Sequence, residues 1–148
     1  MQQVYYLFVY GSLRSGFKSP AYDYISKYFS FVAKGKVKGL LYDMGKYPVA
    51  KTCVSNHFIK GELYQIKNID EFSFAIAQLD DYEGIDNVEG NSIFKREKTM
   101  VTFENEQTQE AWIYWFAGDI NGKELIESGD VLEFMQQQQN KLYKWNQL

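Results

Sequence analysis

The sequence predicts an α+β fold, a small mixed or antiparallel β-barrel flanked by a few helices. Stretches with a two-residue hydrophobic period outnumber helical stretches, and most follow one another without a long helical crossover, which favours antiparallel or mixed pairing. Gly35 and Gly39 fall on the inward face of one such stretch and indicate the bending that a small barrel requires. The 148 residues include only two prolines and no linker-like stretch, so residues 1–148 are expected to form one domain.

The N-terminal part of the chain predicts one strand, one loop and one short helix. Residues 4–10 are rich in β-branched and aromatic side chains and predict a buried strand. Residues 11–20 predict a loop. Pro20 suits the first turn of a helix that reaches about Lys27, with Ser19 as its N-cap.

The next stretch alternates with a period of two. Residues 30–42 therefore predict one strand with one wet face. Residues 43–48 predict a turn, and residues 57–66 predict another strand. The side chains expected to face inward in the 30–42 strand are Phe31, Ala33, Gly35, Val37, Gly39 and Leu41, and those expected to face water are Lys34, Lys36 and Lys38.

The second half predicts two helices around a pair of strands. Residues 70–82 predict a helix that ends at Gly84. Residues 93–103 and 110–117 predict two strands joined by a polar turn, and residues 130–142 predict a terminal helix. The apolar face of the 70–82 helix is expected to consist of Phe72, Ala75, Ile76 and Leu79.

Composition excludes several classes of protein. Aromatic residues make up 18% of the chain and apolar residues 45%, which is too much for a disordered chain. The single cysteine, Cys53, excludes an internal disulfide and every CxxC site, and the single histidine, His57, excludes sites that need two imidazoles. No apolar run approaches the roughly 18–20 residues of a membrane helix, and no signal peptide is evident. We therefore expect no membrane partner and a cytoplasmic location.

Charge is distributed unevenly along the chain. Residues 1–74 hold ten basic and five acidic groups, whereas residues 75–148 hold six basic and 14 acidic groups. The lysines of the first half are spaced along a strand, and the net charge of the whole chain is −3. A solvated strand face is therefore favoured over nucleic-acid binding, and no nucleic-acid partner is expected.

Three arrangements approach known chemistry but fit it poorly. The loop after the first strand approximates a phosphate-binding loop, yet Phe17 intervenes between its second glycine and its lysine. Ser12 lacks the flanking pattern of a nucleophile elbow, so a role in turning the chain is favoured. Cys53 and His57 are four residues apart on a turn or strand that does not bring them face to face.

A group of carboxylates follows the end of the 70–82 helix. Its spacing does not match a calcium-binding loop, and a solvated acidic loop is one interpretation. The other is a functional Glu83, because a carboxyl group at a helix C-terminus in an aromatic pocket would have a raised pKa suited to general acid–base catalysis. The group consists of Asp80, Asp81, Glu83, Asp86 and Glu89.

Five short motifs occur in a fixed order along the chain. They resemble the YGSL loop, LYD-G-YP, GELY, LDxxEG and SGD motifs of the γ-glutamylcyclotransferase-like superfamily, which includes AIG2-like proteins. The resemblance covers about residues 4–130, and the order makes it specific. The matching stretches are residues 7–14 (LFVYGSLR), 41–48 (LYDMGKYP), 61–64 (GELY), 79–84 (LDDYEG) and 128–130 (SGD).

The resemblance implies a fold, a reaction and a set of site residues. The family fold is a small β-barrel flanked by helices, with a pocket at one end. Glu83 matches the family's catalytic glutamate, and Tyr10, Gly11, Ser12 and Leu13 match the loop that cradles the substrate. The implied reaction releases 5-oxoproline from a γ-glutamyl compound when the substrate's α-amine attacks its own γ-carbonyl. It requires no metal and no cofactor.

One departure from the family pattern concerns substrate contact. Many relatives carry a tyrosine in a Y-x-R strand after the glutamate, where this chain has Phe94. Tyr82, Tyr47 and Tyr114 are the candidate replacement hydroxyls, and Tyr47 and Tyr114 are predicted to bind substrate. The departure puts substrate identity in question more than reaction class.

Two main functions therefore stay open, and a scaffold or interaction protein is a minor third. The first is an enzyme that acts on a small γ-glutamyl compound, with motifs closest to the γ-glutamylamine branch of the superfamily. The second is a module that binds such a ligand without turnover, which Phe94 favours. An exposed aromatic strand would also support a homodimer.

Overall fold

The molecule is built on eight strands and three α-helices within the residues that the structure describes. The computed structural model describes residues 3–11, 20–45, 48–82 and 94–137. In chain order the elements are β1 (Tyr6–Val9), α1 (Pro20–Tyr28), β2 (Phe29–Lys38), β3 (Leu40–Asp43), β4 (Pro48–Lys51), β5 (Phe58–Ile66), α2 (Phe72–Tyr82), β6 (Phe94–Thr102), β7 (Thr108–Phe116), β8 (Glu124–Leu125) and α3 (Val131–Gln137).

Five of these strands close into a barrel in the order β1-β5-β2-β6-β7. Neighbouring strands are antiparallel except β1 and β7, which pair in parallel through Leu7 and Trp112. The other three strands form a separate antiparallel sheet in the order β4-β3-β8. The predicted α+β fold with a mixed barrel and flanking helices is confirmed.

Buried side chains lie in two clusters on opposite faces of the barrel wall. Along β1, Leu7 and Val9 belong to one cluster and Phe8 and Tyr10 to the other, as the two-residue period of a strand requires. The cluster with Leu7 and Val9 also contains residues of α1 and α2, so those helices cover that face. The face that Phe8 and Tyr10 share is packed with residues from the other strands and from α3.

Helix α2 forms on the predicted residues and buries the predicted face. Asn68 begins the turn that precedes it, because its side-chain oxygen accepts a hydrogen bond from the N–H of Asp70 at 3.0 Å. The helix is described to Tyr82, and Gly84 lies outside the described residues. Its buried residues are Phe72, Ala75, Ile76 and Leu79.

Residues 30–42 form two strands rather than the one predicted. Gly39 separates them, and its N–H donates to the carbonyl of His57 at 2.9 Å. The prediction that Phe31 faces inward is wrong, since its side chain is 52% exposed. A bulge between Phe31 and Ala33 shifts the pairing with β5, so the two residues lie on opposite faces.

The other strands and helices agree closely with the sequence patterns. The turn predicted over residues 43–48 leads into β4, and the N–H of Gly45 donates to Oδ1 of Asp43 at 2.8 Å. Strands β4 and β8 are short and were not predicted. The predicted C-terminal helix is described only to Gln137. Among the described helices none has the length and apolarity needed to cross a membrane.

Candidate functional site

The last turn of α2 is fixed to the barrel by one carboxylate, Asp80. Nε of Arg96 donates to Oδ1 of Asp80 at 2.7 Å, and Nη2 donates to Oδ2 at 3.0 Å. The hydroxyl of Tyr114 donates to the same Oδ1 at 2.7 Å. A bidentate pair of this kind constrains both position and orientation, so the end of α2 is held against β6 and β7.

The arginine in this network is itself held in place by an aromatic ring. The guanidinium carbon of Arg96 lies 4.5 Å from the ring centroid of Trp112. Nε1 of Trp112 donates to the carbonyl of Val4 at 2.9 Å. Arg96 and Tyr114 are directly opposite in the β6–β7 register, which is why both reach Asp80 from the same barrel face.

Tyr10 and Gly11 lie beside this network at the end of β1. The hydroxyl of Tyr10 donates to the main-chain carbonyl of Tyr114 at 2.8 Å, and the Tyr10 ring is buried. A Cβ on Gly11 would lie 3.3 Å from Cγ of Pro48, so the backbone turns here in close contact with β4. The structure thus brings Tyr10, Gly11 and Tyr114 together, and their predicted contact with substrate stays a prediction.

A second carboxylate, Glu62, is buried on β5, the strand that pairs with β1. Its side chain is 3% exposed, and the hydroxyl of Tyr64 donates to its Oε1 at 2.8 Å. In the register Glu62 lies opposite Val9 of β1 on one side and Lys34 of β2 on the other. A buried carboxylate needs such hydrogen bonds to offset its lost hydration, so the Tyr64 hydroxyl stabilises Glu62 within the barrel wall.

Several predicted site residues lie outside the residues that the structure describes. They are the predicted catalytic residue and three of the predicted substrate contacts: Glu83, Ser12, Leu13 and Tyr47. Helix α2 ends its described course at Tyr82, the residue immediately before Glu83 in the sequence. Asp80 lies three positions before Glu83 in the sequence, in the last described turn of α2.

Phe94 and the two candidate replacement tyrosines that are described differ in their exposure. The Phe94 side chain is buried, and its ring centroid lies 5.5 Å from that of Phe116 in an edge-on contact. Tyr114 is also buried and uses its hydroxyl on Asp80, whereas the side chain of Tyr82 is 57% exposed. Of the two candidate tyrosines that are described, Tyr82 is the exposed one.

Among the remaining sequence candidates, the structure describes the pair Cys53 and His57 but not the loop residues 12–19. Nδ1 of His57 lies 2.8 Å from the hydroxyl of Ser55, and Sγ of Cys53 lies 3.9 Å from the main-chain carbonyl of His57, so no described contact joins the thiol to the imidazole ring. Within residues 3–11, 20–45, 48–82 and 94–137, no cluster of three or more His, Cys, Asp or Glu side chains could hold a metal ion.

The roles of Asp80 and its partner Arg96 were not predicted from the sequence. Asp80 was one member of the predicted acidic group, and Arg96 belongs to the stretch where this chain has Phe94 in place of the tyrosine of the Y-x-R pattern. Opposite charge was a signal, but the two residues are 16 positions apart on different elements. Glu62 was noted only within the GELY motif, and its burial depends on the pairing of β5 with β1 and β2, which no local pattern indicates.

Comparisons with known proteins agree on one family. A family model described as gamma-glutamyl cyclotransferase, AIG2-like, matches residues 7–133. The chain is 30% identical over 133 residues to a Methanocaldococcus jannaschii protein named "Putative gamma-glutamylcyclotransferase", covering 87% of this chain and 97% of that one.

Solved structures share the fold. The Escherichia coli protein ytfP aligns with a TM-score of 0.59 and 26% identity, over 88% of this chain and 98% of that chain. An uncharacterized Pyrococcus horikoshii protein aligns with a TM-score of 0.64 and 18% identity, over 95% and 99%.

Proposed function

Because the chain belongs to the gamma-glutamyl cyclotransferase, AIG2-like family, we propose that it releases 5-oxoproline and a free amine or amino acid from a small γ-glutamyl compound, with Glu83 as general acid and base. The single observation that carries this proposal beyond family membership is the fixed end of α2. Three hydrogen bonds to Asp80 hold the helical turn from which the chain continues to Glu83.

The proposed reaction is an intramolecular aminolysis. The α-nitrogen of the substrate forms a bond to its own γ-carbonyl carbon, and the bond from that carbon to the leaving nitrogen breaks. Two protons leave the α-nitrogen and two reach the leaving nitrogen, so one carboxylate can take up and deliver them in turn. Because the attack closes a five-membered ring, orienting the bound substrate lowers the barrier by several kcal/mol.

The loop after β1 is the proposed cradle for the reacting carbonyl. Gly11 follows the buried Tyr10, whose hydroxyl is fixed to the backbone of β7. Backbone N–H groups in such a turn can donate to the oxyanion of the tetrahedral intermediate, where each donor contributes roughly 3–4 kcal/mol in other enzymes. Ser12 and Leu13 complete the proposed cradle in the sequence.

The test is conversion of a γ-glutamyl panel by the wild type and by Glu83→Gln. The panel contains γ-glutamyl amines and γ-glutamyl amino acids, and mass spectrometry detects 5-oxoproline. We expect product from the wild type and roughly 10²–10⁴-fold less from Glu83→Gln, the usual cost of losing a general acid–base group. Glu133→Gln, an exposed carboxylate on α3, is the matched control and should retain activity. Equal rates for wild type and Glu83→Gln would refute the assignment.

A second candidate function is a binding module that holds a γ-glutamyl ligand without turnover. Phe94 is the observation that favours it, because its buried ring carries no hydroxyl where many relatives have one. This alternative predicts a ligand-dependent rise in Tm for both wild type and Glu83→Gln, with no 5-oxoproline from either.

A further inference from the structure

Strands β1 and β7 close the barrel through a narrow seam. Among the described strands their main-chain pairing consists of one parallel register pair, Leu7 with Trp112, whereas β1 and β5 share four register pairs. A parallel pair is slightly less stable per residue than an antiparallel one, so this seam has little main-chain support of its own. Gly11, where the proposed cradle begins, lies two residues beyond Val9, the end of β1. The position of the cradle therefore depends on this seam.

Side-chain hydrogen bonds reinforce the seam at both ends. Before β1, the carbonyl of Val4 accepts a hydrogen bond from Nε1 of Trp112 at 2.9 Å. After β1, the hydroxyl of Tyr10 donates to the main-chain carbonyl of Tyr114 at 2.8 Å. These bonds join residues 108 and 104 positions apart in the chain. Together they fix the direction of β1 against β7, and the second bond lies at the end that carries the cradle.

Tyr114 belongs to both halves of the candidate site. Its main-chain carbonyl accepts the Tyr10 hydroxyl, and its own hydroxyl donates to Oδ1 of Asp80 at 2.7 Å. Tyr10 and Tyr114 lie in the two different core clusters, on opposite faces of the barrel wall, so the connection passes through the wall at one residue. Two hydrogen bonds in series thus join the start of the cradle to the last described turn of α2.

The two tyrosines of this connection are buried and already held by protein groups. Tyr10 is 8% exposed and Tyr114 is 3% exposed. A buried hydroxyl needs a hydrogen-bond partner, and each of these hydroxyls has one within the protein. Arg96 holds the far end, since it donates two hydrogen bonds to Asp80 and lies directly opposite Tyr114 in the register. The geometry favours a link between the two halves of the site over contact of these hydroxyls with a substrate.

We propose that Tyr114 is a positioning residue that sets the distance between the cradle and the turn that leads to Glu83, acting through the Tyr10 hydroxyl on one side and Asp80 on the other. This inference rests on the proposed function, since it concerns the alignment of the same groups. The oxyanion donors and the general acid–base group must meet the same substrate carbonyl, and a displacement of about 1 Å can cost roughly 100-fold in rate. This role differs from the substrate contact that the sequence predicts for Tyr10 and Tyr114.

The experiment removes one hydroxyl at a time. Tyr10→Phe and Tyr114→Phe each delete one hydrogen bond and leave the ring in place, and the double variant deletes both. Tyr24→Phe is the matched control, because the Tyr24 hydroxyl also donates to a main-chain carbonyl, that of Ala75 in the first half of α2, at 3.1 Å. Initial rates with the γ-glutamyl compound that the wild type converts fastest give kcat and KM. Calorimetry on the same variants combined with Glu83→Gln gives Kd for that compound without turnover.

We expect Tyr10→Phe and Tyr114→Phe to lower kcat about tenfold or more and to change KM and Kd less than about twofold, because alignment affects the transition state more than binding. Since the two bonds are in series, the double variant should lose about the same factor as the more impaired single variant, whereas independent effects would multiply. Tyr24→Phe should change kcat less than about twofold.

Three kinetic results would overturn the proposal. A Kd weakened about tenfold or more by either single variant would indicate that its hydroxyl touches the substrate. Losses of kcat that multiply in the double variant would show two separate roles instead of one link. An unchanged kcat in Tyr10→Phe or Tyr114→Phe would show that the link does not align the site.

Hydrogen exchange provides a second measurement that does not require turnover. Tyr10→Phe and Tyr114→Phe should both raise amide exchange of residues 79–82 about threefold or more, while the amides of β2 and β5 stay within about twofold and exclude a general loss of stability. Unchanged exchange of residues 79–82 in Tyr10→Phe overturns the link. No 5-oxoproline from the wild type refutes the proposed function, and the exchange measurement then decides by itself whether Tyr114 joins the two halves.

Discussion

Removing the charge of Asp80 tests whether its network holds the end of α2. Asp80→Asn keeps the side-chain volume but presents one amide group to the Arg96 guanidinium, so two donors face each other. Asp80 accepts three hydrogen bonds, and the side chains of Arg96 and Asp80 are only 23% and 20% exposed. Hydrogen bonds to charged groups contribute roughly 1.5–3 kcal/mol, and partial exposure reduces the ionic part. We expect a loss of about 2 kcal/mol in the free energy of unfolding.

The assay is urea unfolding followed by far-UV circular dichroism, with heat unfolding as a second measurement. For a chain of this length a loss of about 2 kcal/mol corresponds to a fall in Tm of roughly 4–8 °C. The control is Glu97→Gln, which removes the exposed pair between Lys95 and Glu97 on β6, at 3.8 Å and with side chains 67% and 47% exposed. That change should cost less than about 0.5 kcal/mol.

A double-mutant cycle with Arg96→Gln separates the pair from its surroundings. We expect a coupling free energy of at least about 1 kcal/mol between Asp80 and Arg96, because the two side chains form two hydrogen bonds to each other. If the turn positions Glu83, 5-oxoproline release by Asp80→Asn should also fall about tenfold or more. The reasoning is refuted if Asp80→Asn and Glu97→Gln lose the same stability.

Two further predictions concern packing and pH. Gly61→Ala should lower the free energy of unfolding by about 2–3 kcal/mol in urea titrations, because its Cβ would meet the Val9 carbonyl oxygen and the Phe8 ring; a loss under about 0.5 kcal/mol would contradict the close contact. Burial, with a smaller contribution from Tyr28, raises the pKa of Tyr24 to about 12. The contribution of Tyr24 to the free energy of unfolding is therefore fully present below about pH 10 and is lost as the pH rises to about 12. In unfolding titrations, the free energy of unfolding should fall less between pH 9 and pH 11 for Tyr24→Phe than for the wild type. An equal fall in both proteins would argue against this role of Tyr24.

Most elements of the fold were predictable because each depends on a local pattern. The Phe72–Tyr82 helix follows from apolar residues on one face, and the pair β6 and β7 follows from two apolar stretches joined by a polar turn. Phe31 is an exception, because its predicted inward orientation is wrong. Alternation predicts its face only if the strand has no bulge, and the bulge arises from the pairing with β5.

The candidate site was predictable where motifs are contiguous and unpredictable where distant residues meet. The motif order identified the family, and the family model and the 30% identical relative bear that out. The contact of Asp80 with Arg96 and Tyr114 was not foreseen, because it joins residues 16 and 34 positions apart. Lys34, Lys36 and Lys38 were predicted to face water, but the position of Lys60 opposite Lys36 could not be predicted without the register.

The sequence by itself determined the fold class, most helices and strands and the family, because hydrophobic period and contiguous motifs are properties of neighbours in the chain. Only the tertiary structure decided that Asp80 fixes the end of α2, that Glu62 is buried opposite Val9, and which lysines face each other. Register and barrel closure set those relations, and they depend on how strands distant in the chain align, which no local pattern encodes.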